Sequence, residues 1–460
     1  MFNRIFMFWL LLVGSISHAA TINVNIDSPN FRRLTAAVPT FLTKLSNDKD
    51  TTQLASAGAN ELSRLLVYSG YFNSMAESGF KDLLPKMRAT ISKSDPKGLE
   101  GVDLLQWKGL GVESLTVTEI QREGSTWSLS FRTIDINRGQ LVVGRRYTKV
   151  KVNELIPVIR RYADQILKAY TGKSGIFSSK LVFVGRTSKK AQKQIYIANF
   201  DGSGAVPITK ENCPHLSPTW SPDGRFITYT SFEDGNPDLF IYDTVTGRKR
   251  KLSGIRGLNS GSNWVKTGRL VAFSGSVAGD TDIYTISPTG GTRAMLIKGP
   301  GLDAEPAFSP DLKYLAFVSG RFGNPHIFRA TLKWDGDTPK VTEDKRLTYA
   351  GWYNATPAWS PESDKIAFAG YDKDIDRFDL FMMNPDGTNM ERLTLRAGDN
   401  ERPAWAPNGQ LVIFQSNRIP GQNVKDVFQL WIMNRDGSGQ RMLQTGLFEV
   451  QQPQWGPNLE

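Results

Sequence analysis

The stretch Pro218-Thr219-Trp220-Ser221-Pro222-Asp223-Gly224-Arg225 constrains the chain most, because imperfect copies of it return all the way to the C-terminus. The copies are Asn263-Trp264-Val265, Pro306-Ala307-Phe308-Ser309-Pro310-Asp311, Pro357-Ala358-Trp359-Ser360-Pro361, Pro403-Ala404-Trp405-Ala406-Pro407-Asn408-Gly409 and Pro453-Gln454-Trp455-Gly456-Pro457. Their aromatic positions 220, 264, 308, 359, 405 and 455 recur at intervals of 44 to 51 residues. A period of that size means a solenoid or a propeller. Ser-Pro-Asp-Gly matches a type I turn, with Pro setting φ at the second position and Gly closing the fourth. Behind each turn comes a β-branched or aromatic run such as Phe226 to Thr230 or Tyr314 to Val318. A third strand opens at Asp238, Asp282, His326, Asp379 and Gln429, and ends in a Gly-containing turn such as Asp386-Gly387. A short fourth strand leads to the next aromatic. Four strands per ~45 residues make one propeller blade.

Two incomplete copies complement each other. Residues 180 to 210 supply second, third and fourth strands with no aromatic first strand before them, and the copy at Trp455 is a first strand followed by the end of the sequence. Pairing the two closes a six-bladed ring and leaves no open sheet edge in that blade. From Thr21 to about Gly172 the repeat is absent. There, periodicity predicts helices over Thr51 to Tyr68 and Asp103 to Lys108, and strands over Ser114 to Arg122, Thr126 to Asn137 and Gln140 to Tyr147. A last helix, capped by Asn153 and tolerating Pro157 in its first turn, runs to Tyr170 and stops at Gly172. The expected architecture is multi-domain: a small α/β domain with a mixed sheet over residues 20–172, followed by an all-β six-bladed β-propeller over 173–460.

Asn3-Arg4, the apolar run from Ile5 to Val13 and Ser17-His18-Ala19-Ala20 have the order of a secretory signal peptide, expected over residues 1–19. The run is too short for a comfortable membrane span. A single cysteine, Cys213, excludes an intramolecular disulfide. The formal charge of +11 becomes +10 without Arg4, and the basic residues are scattered, which argues for a solvated surface and against nucleic acid.

Catalytic and metal signatures fail on inspection. No Gly-x-Ser-x-Gly elbow occurs, and His215 and His326 have no motif partner for a triad. Gly172-Lys173-Ser174 is not a phosphate loop, because the earlier glycine position holds Leu167 inside a helix. Asp372, Asp374, Asp376 and Asp379 form the one dense carboxylate cluster, but Arg377 stands where a calcium loop needs glycine. No cofactor and no metal is expected.

An export signal, a small α/β domain containing Ile26-Asp27-Ser28, and a six-bladed array of Pro-x-Trp-Ser-Pro-Asp-Gly repeats closed by Pro-x-Trp-x-Pro resemble the TolB family of periplasmic propeller proteins in the Tol-Pal system. The second copy departs from the pattern with Val265-Lys266-Thr267-Gly268, and the third blade carries an insertion around Trp334 to Asp344. The resemblance implies a non-catalytic, monomeric periplasmic protein. It would link the lipoprotein Pal to TolA, with other envelope proteins as further partners, in outer-membrane integrity and envelope constriction during division. It maps TolA binding onto the segment Ala20 to Phe31, through Thr21, Ile22, Asn23, Val24, Asn25, Ile26 and Asp27, whose alternation suits strand addition. It maps Pal binding onto loops entering the innermost strands, at Leu216, Ser217, Ser262, Glu305, Thr356, Glu401, Arg402, Gln451 and Gln452. The rival reading is a periplasmic hydrolase or lyase working in the propeller channel with Asp or Glu as acid and base.

Overall fold

A computed structural model describes residues 32–459 apart from 44–47, 86, 88–98, 100, 278, 375, 396–397 and 419–426. The expected signal peptide and the Thr21 to Asp27 strand lie outside these residues. Two compact units divide between Ser174 and Gly175.

The first unit is built on a five-stranded mixed sheet. Its strands are β1 (Leu34–Ala37), β2 (Phe72–Ser74), β3 (Ser114–Glu123), β4 (Thr126–Asp135) and β5 (Gln140–Val150), in the order β2-β1-β3-β4-β5. β1 runs parallel to both neighbours, whereas β3, β4 and β5 form an antiparallel meander. β1 and β2 are too short to show alternation, and sequence periodicity misses them.

Helix α1 (Lys49–Tyr68) starts before Thr51 because the Asp48 carboxylate accepts the Thr51 N–H and hydroxyl at 3.4 and 2.6 Å. Helix α2 (Leu104–Gly109) is capped by Asp103. Helix α3 (Leu155–Thr171) is not capped by Asn153. A 3₁₀ turn over Val152–Glu154 precedes it, and the Glu154 side chain accepts the Lys151 N–H at 2.9 Å instead. Gly172 ends α3 at φ 75°, where glycine carries no Cβ penalty. The amphipathic face of α3 buries Tyr162, which stacks on Phe131 of β4 at 4.4 Å between centroids, and Tyr170, whose hydroxyl reaches Ser114 Oγ at 3.1 Å. Among the described residues no helix is long and apolar enough to cross a membrane.

The second unit is a six-bladed β-propeller of six four-stranded antiparallel sheets. Blades 1 to 5 begin with inner strands His215–Trp220, Asn259–Trp264, Asp303–Phe308, Tyr353–Trp359 and Asn400–Trp405, and their other three strands follow in chain order. Blade 6 joins Glu449–Asn458 as inner strand to Ser179–Arg186, Gln194–Asn199 and Val206–Pro207.

The Ser-Pro-Asp-Gly turns form as their residues require. In blade 1 Gly224 N–H donates to Ser221 O at 2.9 Å, and Ser221 Oγ accepts the Phe226 N–H at 2.8 Å. Copies without glycine keep the geometry at a cost of roughly 1–2 kcal/mol per left-handed residue, with Leu312 at φ 65° and Ser363 at φ 61°.

The repeated aromatics are 6 to 8 % exposed. They are buried between blades rather than within one: Trp264 packs on Leu239 and Ile241 of blade 1, and Trp405 on Ala367 of blade 4. Trp359 Nε1 donates to Ala307 O of blade 3 at 2.9 Å and Trp405 Nε1 to Ala358 O of blade 4 at 3.0 Å. These two indoles therefore tie their blades to the ones before. The insertion of blade 3 is a lengthened hairpin, with strands His326–Asp335 and Thr338–Arg346 joined across Gly336.

Candidate functional site: the propeller channel

The six inner strands surround a channel with a cavity of about 360 Å³. One residue in each has a left-handed backbone: Ser217 (φ 51°), Gly261 (61°), Glu305 (52°), Thr356 (54°), Arg402 (53°) and Gln452 (53°). At the same step every ladder to the second strand slips, as between Thr228 and Thr230 in blade 1. These are β-bulges, which re-aim side chains and end regular pairing. In five blades a proline follows, at 218, 306, 357, 403 and 453, a residue that donates nothing to a ladder and so is accommodated at a bulge.

Four of the N–H groups at the bulges are taken by side chains of the preceding blade. Ser217 N–H donates to Gln452 Oε1 at 2.7 Å, Gln452 N–H to Gln415 Oε1 at 2.8 Å, Glu305 N–H to Ser274 Oγ at 3.0 Å and Thr356 N–H to Glu305 Oε2 at 2.7 Å. The other Glu305 oxygen pairs with Arg402 Nη2 at 3.2 Å. Five non-glycine residues in left-handed geometry store on the order of 1–3 kcal/mol each. The stitched ring holds them there.

All nine residues that the family resemblance mapped to the Pal face lie inside strands, not in loops ahead of them. Proline within a short run masks the alternation by which a strand is read, and the bulge makes that proline tolerable. Ser217, Ser262, Glu305, Thr356, Arg402 and Gln452 line the channel. Of these Ser262 is 6 % exposed, with its hydroxyl bonded to Thr228 Oγ1 at 2.8 Å.

The remaining three are directed elsewhere. Leu216 packs against the core of blades 6 and 1, Gln451 Oε1 accepts from Lys193 Nζ at 3.1 Å, and Glu401 Oε2 accepts from Gln415 Nε2 at 3.4 Å. Burial pushes the Glu401 carboxyl up to about 7, with Arg402 opposing and Asp399 and Glu305 adding to the rise. Sequence reasoning places Gly261 beside Ser262 on this face but misses Ser274 and Gln415; only the residue-before-proline pattern marks the ring, and blade 2 lacks it.

Other clusters resolve into structural roles. His326 is buried, with Nδ1 at 3.2 Å from Thr348 Oγ1 and 3.0 Å from Asn354 Nδ2, and burial lowers its pKa. Asp379, fully buried, is held by Arg392, by Thr394 Oγ1 at 2.7 Å and by Asn400 Nδ2 at 3.1 Å, while Asp376 accepts the Tyr371 hydroxyl at 2.5 Å. The acidic cluster therefore does not converge.

Among the described residues one group, Glu211, His215 and Glu233, has ligand atoms close enough to share an ion. The Lys249 ammonium bridges the two carboxylates, bonding Glu211 and lying 2.5 Å from Glu233 Oε1. Burial pushes Glu211 up, but the Lys249 contact and backbone hydrogen bonds overcome it and bring the carboxyl to about 2. Cys213 Sγ lies 3.6 Å from His215 Nε2, and burial raises its thiol pKa, which disfavours a reactive thiolate.

Fold and channel together define the class: a six-bladed β-propeller with Ser-Pro-Asp-Gly-type blades and a bulged, polar inner ring, carried with a small α/β domain. Within that class the chain belongs to the TolB family, since the family described as "TolB beta propeller domain" matches residues 167–459. The "Tol-Pal system protein TolB" of Desulfosudis oleivorans is 31% identical over 267 residues, 58% of each chain. The "Protein TolB homolog" of Chlorobium luteolum is 31% identical over 280 residues, 60% of each chain. These matches span less than two thirds of the relatives' own lengths. The crystal structure of TolB from Acinetobacter baumannii shares the fold at a TM-score of 0.73 and 24% identity, over 95% of this chain and 98% of that one.

Proposed function

We propose that this chain is a non-catalytic periplasmic component of the Tol-Pal system, binding Pal at the channel ring and TolA through residues 20–31. Its role is then outer-membrane integrity and envelope constriction in division. Residues 1–19 as signal peptide, 20–172 as the α/β domain and 173–460 as the propeller belong to the same reading. Family membership supports the system. The observation that carries the binding surface is the ring of six left-handed bulges, strained backbone that presents Glu305, Thr356, Arg402 and Gln452 to the channel. Glu305 gives its two oxygens to Thr356 N–H and Arg402, an arrangement that commits this carboxylate to organising the surface.

The paired exchange Glu305→Arg with Arg402→Glu is the sharpest test, because it keeps an internal ion pair while inverting the charges offered to a partner. Calorimetric titration of Pal should weaken at least about tenfold, and unchanged Pal affinity in a folded variant overturns the assignment. Deleting residues 20–31 should abolish TolA binding and spare Pal binding; full TolA affinity in that deletion overturns the other half.

A further inference from the structure

Blade 4 holds a second cavity of about 460 Å³ that shares no lining residue with the channel. Its origin is visible by comparison with blade 2, which has the same local architecture. In blade 2 Asn259 pairs with Gly275, donates its N–H to Pro237 O at 2.9 Å and gives its side-chain amide to Ile255 O at 2.8 Å. In blade 4 Asn354 pairs with Gly370, donates its N–H to Pro325 O at 2.9 Å and gives its amide to Ala350 O at 2.9 Å. Ile255 is thus matched by Ala350, and Gly257 by Trp352. Ile255 Cδ1 lies 3.4 Å from where a Cβ on Gly275 would stand, beside the Tyr284 ring. That isoleucine plugs blade 2. The plug is missing in blade 4, where Ala350, Trp352, Tyr371, Phe381 and Met390 wall an open space.

The rim has a definite chemistry. Trp352 is 53% exposed, and the Lys373 ammonium already lies 5.4 Å from its ring centroid, so that face receives a cation. Asp372 and Asp374 stand at the same mouth. Arg392, the other lining cation, is committed to Asp379 and to Asp372 at 3.5 Å, while among the described residues Asp374 forms no ion pair. Size, aromatic walls and a few polar groups at one side are the attributes of a small-molecule site.

We propose that this cavity binds a small amphiphilic amine, its apolar end in the space that Ile255 fills in blade 2 and its ammonium taking the place of the Lys373 ammonium on the Trp352 face, with Asp374 as counter-charge. Titration of the full chain with 3-methylbutylamine, 3-methylbutanol and 3-methylbutanoate, followed by ligand-observed NMR, tests it. The amine should bind saturably below about 10 mM and at least about tenfold more tightly than the alcohol or the carboxylate. Ala350→Ile, which restores the blade 2 plug, should remove binding without lowering Tm. Trp352→Gly, the blade 2 residue, should weaken it at least about tenfold, and Asp374→Asn should reduce the preference for the amine. The proposal is overturned if the amine shows no saturation, if alcohol or carboxylate binds equally well, or if folded Ala350→Ile and Trp352→Gly both bind like the parent.

Discussion

Replacing Trp455 by Ala removes an indole that is 8% exposed and whose Nε1–H donates to Ser179 Oγ at 2.8 Å. Loss of a buried tryptophan side chain costs about 3–5 kcal/mol, and for a unit of this size each kcal/mol lowers Tm by roughly 2 °C, so a fall of about 6–10 °C is expected. Trp359→Ala is the matched control, with the same 8% exposure and an Nε1–H bond to Ala307 O at 2.9 Å. The two losses should be similar in size and different in kind. The inner strand of blade 6, Glu449–Asn458, is joined to Ser179–Arg186 by ladder hydrogen bonds and packing, with no short connecting turn. The inner strand of blade 4 continues through a tight turn into Ile366–Asp372. Calorimetry and amide exchange by mass spectrometry separate the cases. In Trp455→Ala, amides of residues 179–186 and 449–458 should exchange faster while blades 2 to 4 keep the parent's protection, because that blade opens as its own unit. A Tm fall under about 2 °C, or exchange that rises evenly around the ring, refutes the reasoning.

Glu401 gives a pH dependence of definite sign. Its carboxyl, raised to about 7 by burial, favours the fold while protonated, so its contribution is complete below about pH 4 and is lost as pH climbs through 7. Glu401→Gln should be about 1–3 kcal/mol more stable than the parent at pH 8; parallel Tm curves for the two proteins between pH 5 and 8 would contradict this. Lys249→Ala removes the ammonium between Glu211 and Glu233 and should let those carboxylates and His215 bind a divalent ion. A cobalt titration should then show binding in the variant only, and equal binding by the parent counts against it. Asp379→Ala leaves Arg392 without its buried partner and should cost about 3–5 kcal/mol in chemical denaturation. A loss under about 1 kcal/mol would show that the pair carries no such weight.

The blade repeat and its turns are legible residue by residue, since Ser221, Pro222 and Gly224 act on backbone within four positions, and the hydroxyl of Ser221 needs only Phe226 beside it. The helix stop at Gly172 is local in the same way. The start of α3 differs from the expectation because the 3₁₀ turn over Val152–Glu154 takes up Asn153 and leads directly into the helix, which no side chain caps. β1 and β2 escaped notice because three or four residues earn strand geometry only from the neighbours they pair with.

In the channel, the sequence shows that proline follows residues 217, 305, 356, 402 and 452, but not that these residues turn left-handed. That depends on Gln415, Ser274 and Gln452 arriving from the preceding blade to take the freed N–H groups. The blade 4 cavity is likewise invisible until Ala350 is superposed in function on Ile255 through their shared hydrogen bond to an asparagine. The amino-acid sequence by itself determined repeat, turn and hydrophobic pattern, which are short-range consequences of φ preference and side-chain alternation. Register, bulge and void were decided by tertiary structure, because each is settled by groups that sequence distance separates and only the closed ring brings within hydrogen-bond reach.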